Sequence, residues 1–346
     1  MERKKMKKKG FTLVELLVVI AIIAMLLAIL MPALGKVRQL AQRIMCGTNI
    51  GGLGKAILTY ATDDKYESYP IAGNGSTVWD FGTATKDSAK CTWDWKIKDA
   101  PGTTNNAIGT NKATLSANLY LLIKYADVSP DQFICPGSDE KKFELSTYTI
   151  PSGTQYGQSF TDVWDFGASA DVPASKSRGR GHNSYSYQLP MQPDGVTASA
   201  HPVSGISNPA MAVIADRNPF WDFATNGATG YGANAAGADL YKWDSQNKKV
   251  APESIPLGNN VYHQKDGQNV MYVDQHVKFE KSANCGVQMD NIYTTWQQTD
   301  AQMALQTPDK QAELRQCGGT IEPQRGSTTN NYPQTAEDNY LVNDYN

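Results

Sequence analysis

The sequence predicts an α+β chain, a long N-terminal helix packed on a small antiparallel β-sheet head with long loops. Three observations predict it. Leu16 to Met31 is an unbroken apolar run. Apolar residues continue beyond it at helical spacing, at Val37, Leu40, Ala41, Ile44 and Met45, then Ile50, Leu53 and Ile57. Short strand-like segments at 183–187, 212–215, 269–273 and 276–279 punctuate a remainder rich in Gly, Ser, Thr and Asp.

The run from Phe11 to Leu34 decides the first element. As a helix its roughly 24 residues reach about 36 Å, enough for a hydrocarbon core of about 30 Å. Arg3, Lys4, Lys5, Lys7, Lys8 and Lys9 precede the run, which orients the N-terminus toward the cytoplasm and the rest outside. An ordinary cleaved signal peptide fits less well, because no small-x-small site closes the run and the periodicity continues past it. A plain membrane anchor does not explain Glu15. A carboxylate in hydrocarbon costs on the order of 3 kcal/mol at the bilayer centre, so it wants a partner. The other 337 residues are acidic on balance, the whole chain of 346 carrying a formal charge of -2. No broad basic field invites nucleic acid.

Gly10 followed by Phe11-Thr12-Leu13-Val14-Glu15-Leu16 resembles the type IV prepilin leader. The resemblance implies that a prepilin peptidase/methyltransferase cuts between Gly10 and Phe11 and methylates the new amine of Phe11. It also implies that Glu15 meets the N-terminal ammonium of a neighbouring subunit, in a medium where opposite charges attract strongly. The implied partners are other pilin or pseudopilin subunits, an inner-membrane assembly platform and the lipid bilayer. The implied location is the cytoplasmic (inner) membrane, single-pass with an extracytoplasmic head, and a filament after assembly.

Pro32 either kinks the helix or marks its exit from the membrane. Past it the helix becomes amphipathic, and its apolar stripe is expected to pack on a sheet. Gly47, Gly51, Gly52 and Gly54 either permit close approach to the head or break the helix. The stretch Cys46 to Pro70, with Asn49, Tyr60, Ala61, Asp63, Asp64 and Tyr69, resembles the segment following the helix in a large group of prepilin-like proteins. Phe133-Ile134-Cys135-Pro136 resembles the Cys-Pro element of the same group, and the resemblance implies a Cys46–Cys135 disulfide. The cysteines, Cys46, Cys91, Cys135, Cys285 and Cys317, show no C-x-x-C pair and no His at zinc-module spacing, so a metal cluster is not expected from spacing.

In the head, Ala117 to Tyr125 reads as a helix. Trp-Asp-Phe recurs at 79–81, 164–166 and 221–223; such aromatics beside acids either stack on sugar rings or pack locally. Asn269–Val273 and His276–Phe279 flank Asp274-Gln275 as a two-residue hairpin. This hairpin resembles the H-X9-DG element that accompanies prepilin leaders, with ten residues between His263 and Asp274 and with Gln275 in place of glycine. His263, Asp274 and Asp216 either meet at a sheet edge to bind a metal such as structural Ca2+ or hydrogen-bond their loops together. Thr307 caps a helix from Pro308 to Gln316, which sets up a Cys285–Cys317 pair. The organisation expected is a leader at 1–10, a transmembrane helix at 11–34, its amphipathic continuation at 35–62, a β-rich head at 63–318 and a polar, partly disordered tail at 319–346.

No G-x-S-x-G, phosphate loop or H-E-x-x-H is present, so the chain is expected not to be an enzyme. The expected function is a structural subunit, a pseudopilin or minor pilin, of a type IV pilus-like or type II secretion filament. The alternative is a membrane-anchored extracytoplasmic module that binds polysaccharide or another surface ligand.

Overall fold

A computed structural model describes residues 12–64, 67–72, 78–79, 112–113, 115–144, 159–162, 166, 182–190, 201–219, 242–296, 298, 300–317, 333 and 335–342. Contacts divide the chain into two units, Met1–Gln42 and Arg43–Asn346.

One helix, α1 (Leu13–Asp63, 51 residues), begins in the first unit and ends in the second. It runs unbroken through Pro32 and through all four glycines after Cys46. Within the first unit, every residue from Thr12 to Arg38 is exposed. A helix this apolar and this exposed suits lipid rather than water.

The second unit is built on a five-stranded antiparallel sheet. Its strands are β3 (Tyr185–Gln188), β4 (Ala212–Asp216), β7 (Gln268–Tyr272), β8 (Val277–Glu280) and β9 (Leu341–Val342), in the order β8-β7-β4-β3-β9. Two-residue pairs, β1 (Val78–Trp79) with β2 (Lys112–Ala113) and β5 (Trp243–Asp244) with β6 (Lys249–Val250), lie outside it. The helices of this unit are α2 (Leu115–Tyr125), α3 (Asp300–Ala304) and α4 (Pro308–Cys317). Thr307 caps α4 as expected, its Oγ1 accepting from Lys310 N at 3.4 Å.

The buried stripe of α1 starts at Cys46 and continues through Ile50, Leu53, Ala56, Ile57 and Ala61. Val37, Leu40, Ile44 and Met45 stay exposed, which corrects the expectation of one stripe on the sheet. The glycines explain the close packing: a Cβ on Gly54 would lie 2.2 Å from Met271 Sδ, and one on Gly51 3.6 Å from Val277 Cγ2. Their helix-breaking tendency, about 1 kcal/mol each, is outweighed by burial of the stripe. Strands β3, β4 and β7 are buried at every position, so both faces of the sheet centre are covered.

Two further expectations are corrected. Between β7 and β8, Tyr272 N donates to His276 O at 3.1 Å and closes a three-residue loop, Val273-Asp274-Gln275. Only Gln275 is left-handed (φ 70°), as in a type I turn followed by a bulge residue. Second, part of the supposed tail belongs to the core. Tyr340, Leu341 and Val342 are fully buried and β9 forms the edge strand on β3. Buried hydrogen bonds hold this polar stretch: Asn339 N donates to Asp290 Oδ2 at 2.8 Å, and Asn339 Oδ1 accepts from Ala212 N at 2.9 Å.

Candidate functional site

At the head of α1, Thr12 and Glu15 close on each other. Glu15 Oε2 accepts from Thr12 N at 2.8 Å and from Thr12 Oγ1 at 2.7 Å, while Glu15 N donates to Thr12 Oγ1 at 3.3 Å. This is a capping box, which satisfies helix-end donors that lipid leaves without partners. The Thr-x-x-Glu spacing of Thr12 and Glu15 is the sequence signal of this box. Gly10 and Phe11 lie outside the described residues.

The second site is a polar cluster inside the head. Cys46 comes from α1, and Cys135 follows a 3-10 turn (Pro130–Phe133) capped by Ser129. Asn49 Nδ2 donates to Ile134 O at 3.1 Å and so fixes the Cys135 segment against α1. Asp216 ends β4, and His263 ends a 3-10 turn (Val261–His263) capped by Asn260. Asn260 Nδ2 donates to Arg217 O at 2.8 Å, which brings His263 beside Asp216. The exposures are 0%, 0%, 1% and 3% for Cys46, Cys135, Asp216 and His263.

Cys46 Sγ lies 2.7 Å from Asp216 Oδ1 and 3.6 Å from Tyr185 Oη. His263 Nε2 lies 3.0 Å from Asp216 Oδ2 and 3.8 Å from Cys135 Sγ. Asp216 Oδ2 also accepts from Asn269 N at 2.6 Å and Asn269 Nδ2 at 3.1 Å, and Gly137 N donates to Cys135 Sγ at 3.4 Å. Burial pulls the His263 imidazole down, but its bonds to Asp216 and Cys135 outweigh this and lift it to about 10. Burial, then the contacts with Cys135 and Asp216, push the Cys46 thiol well up. The hydrogen bond from Cys46 pulls the Cys135 thiol down against its burial, with His263 helping. The cluster thus favours charge on Cys135 and His263 and a proton on Cys46.

A thiol, an imidazole and a carboxylate suggest a nucleophile relay, but the geometry opposes it. Such a relay places sulfur on one ring nitrogen and the carboxylate on the other. Here both contacts fall on Nε2, and burial closes the sulfurs to substrate.

The cluster joins two of the three residues grouped from sequence, Asp216 and His263, and excludes the third. Asp274 lies in the hairpin loop, with Oδ1 2.5 Å from His276 Nδ1 and its side chain half-exposed. Cys46 and Cys135 come together as expected but as unbonded thiols, and Cys285 and Cys317 are likewise unbonded. Most of the three Trp-Asp-Phe repeats lies outside the described residues. Phe166 is buried, edge-on to Phe133 at 4.8 Å and to Tyr120 at 5.1 Å, a packing role.

Residues 5–31 match the family model for the prokaryotic N-terminal methylation motif. No curated protein and no solved structure matches the chain. The matched segment holds Gly10, Phe11 and Glu15, and it leads into the exposed apolar part of α1. It indicates a prepilin-type, pilin-like N-terminal segment. Such a motif implies cleavage by a prepilin peptidase, anchoring through the apolar helix, and assembly with other pilin subunits.

Proposed function

We propose that this chain is a pseudopilin or minor pilin, a structural subunit of a type IV pilus-like or type II secretion filament. It is cut between Gly10 and Phe11, methylated on Phe11 and held in the cytoplasmic membrane with its head outside until an inner-membrane platform assembles it. The observation that carries this reading is the methylation motif at 5–31 opening an exposed apolar helix.

Glu15 acts in two states. In the free subunit its carboxylate rests in the box with Thr12, which lowers the penalty of an acid near hydrocarbon. In the filament it turns to the ammonium of Phe11 on a neighbour, where low dielectric strengthens the pair and misregister leaves both charges alone.

Crosslinking of filament fractions tests the exchange. Glu15→Gln keeps a residue competent for the capping box but removes the charge, whereas Glu15→Ala removes both. Both variants are expected to insert and be processed, with at least a tenfold loss of neighbour crosslinks, about 1.4 kcal/mol per tenfold. Wild-type crosslinking by both would remove Glu15 from assembly, and an absence of neighbour crosslinks in the wild type itself would favour an anchored module that binds polysaccharide or another surface ligand.

A further inference from the structure

Four donor groups from four distant parts of the head converge on one point. The sulfurs of Cys46 and Cys135, a carboxylate oxygen of Asp216 and a ring nitrogen of His263 all lie within 4.8 Å of one another. We propose that these residues form a structural zinc site that fastens the head-packed end of α1 to the sheet.

The spacing suits the ion. Bonds of about 2.3 Å to sulfur and about 2.0–2.2 Å to nitrogen and oxygen, at tetrahedral angles, place ligand atoms roughly 3.4–3.8 Å apart. Cys135 Sγ and His263 Nε2 are 3.8 Å apart, whereas Asp216 Oδ1 lies 2.7 Å from Cys46 Sγ and Asp216 Oδ2 lies 3.0 Å from His263 Nε2, closer than a bound ion leaves its ligands. Small rotations of side chains that now hydrogen-bond one another open the rest of the space.

The donor set selects zinc over calcium. Two sulfurs, one imidazole and one carboxylate make a soft, four-coordinate set, whereas calcium takes six to eight oxygens. With four protein ligands and full burial no position remains open for water, which marks a structural rather than a catalytic site.

The groups behind the ligands are those a metal site requires. Asn269 donates from both its backbone and its side chain to Asp216 Oδ2, leaving Oδ1 directed at Cys46. Gly137 N donates to the Cys135 sulfur, a contact that stabilises thiolate. Gly47, next to Cys46, matters for the same reason: a Cβ there would meet Asn269 Oδ1 at 3.0 Å and disturb the residue that holds Asp216.

Binding displaces two protons to water, the thiol proton of Cys46 and the one on the His263 ring, so that both sulfurs bind as thiolates and the imidazole, now neutral, supplies its Nε2 lone pair. Nothing is oxidised or reduced. A Cys46–Cys135 disulfide is the competing outcome, but it requires only two Cβ atoms about 3.5–4.5 Å apart. It gives no reason for Asp216 and His263 to aim at the same sulfurs.

The full chain, purified in detergent from cells without added metal, is analysed for zinc by elemental mass spectrometry and mapped for disulfides by non-reducing peptide mass spectrometry. The expected result is one zinc per chain, with free Cys46 and Cys135 thiols after chelation. Cys46→Ser and His263→Gln are expected to lower zinc at least tenfold, while Cys285→Ser leaves it unchanged. Because core variants can misfold, the wild-type chain is also stripped with chelator and melted across a zinc series. Its Tm is expected to climb with zinc concentration. Cobalt in place of zinc is expected to give thiolate charge-transfer and tetrahedral ligand-field bands. A Cys46–Cys135 disulfide in the isolated protein, or a stripped chain whose Tm ignores zinc, would overturn the site.

Discussion

At the residue scale, the head relies on buried polar groups that must be matched in pairs. Glu140 Oε1 accepts from Arg217 Nη1 at 2.5 Å, with side-chain exposures of 0% and 4%. Ser184 Oγ and Tyr262 Oη also donate to this carboxylate. Breaking such a pair leaves a buried charge uncompensated, so Glu140→Ala is expected to destabilise the chain by about 3–5 kcal/mol in denaturant unfolding. Asp290 behaves oppositely. Burial and then the charge of Asp338 raise its acid well above the ordinary value, against hydrogen bonds from Trp296 and Asn339 and the attraction of Arg315. A raised folded value means that this group's stabilising contribution is full below the unfolded Asp value, about 3.9, and is lost as pH rises through the folded one. Denaturant unfolding at a series of pH values is expected to show that decline in the wild type and a flatter profile in Asp290→Asn. None of these pairs was legible in the sequence. Glu140 and Arg217 stand far apart in the chain, and a charged residue alone reads as surface. Glu15 was legible because its apolar neighbours are adjacent in sequence.

At the element scale, α1 shows where local reading stops. Four glycines in eight residues suggest a broken helix, yet the helix continues because the missing side chains let it approach Met271 and Val277. Gly54→Val places atoms where Met271 Sδ now lies and is expected to cost about 1–3 kcal/mol. Gly35→Val, with nothing within 4 Å, serves as the exposed control; comparing the thermal unfolding of the two variants checks the argument. Strands β4 and β7 were readable because their apolar runs lie near turn residues. Strand β9 was not, because its two residues follow Thr335, Asp338 and Asn339, all buried. Those polar residues enter the core through hydrogen bonds, which hydropathy does not register. Deleting residues 333–346 removes Tyr340, Leu341 and Val342 from the core. At about 1.5–3 kcal/mol for each large apolar side chain, the truncated chain is expected to lose cooperative melting in circular dichroism.

At the scale of the whole molecule, the sequence divides its information unevenly. The leader and apolar helix are written in adjacent residues, so charge, hydropathy and one motif suffice to read them. The buried cluster is assembled from Cys46, Cys135, Asp216 and His263, whose spacing follows no local rule and whose convergence depends on β4, α1 and two capped turns. A prepilin-type segment that matches a family model over residues 5–31 therefore sits ahead of a head whose core chemistry only the fold reveals. The central claim is that the basic leader is removed and the amine of Phe11 released for assembly. Intact-mass and N-terminal peptide mass spectrometry of the protein from peptidase-competent cells tests it most directly. A chain that begins at Phe11 with a single methyl on its α-amine is expected; a chain that still begins at Met1 in those cells would contradict the claim.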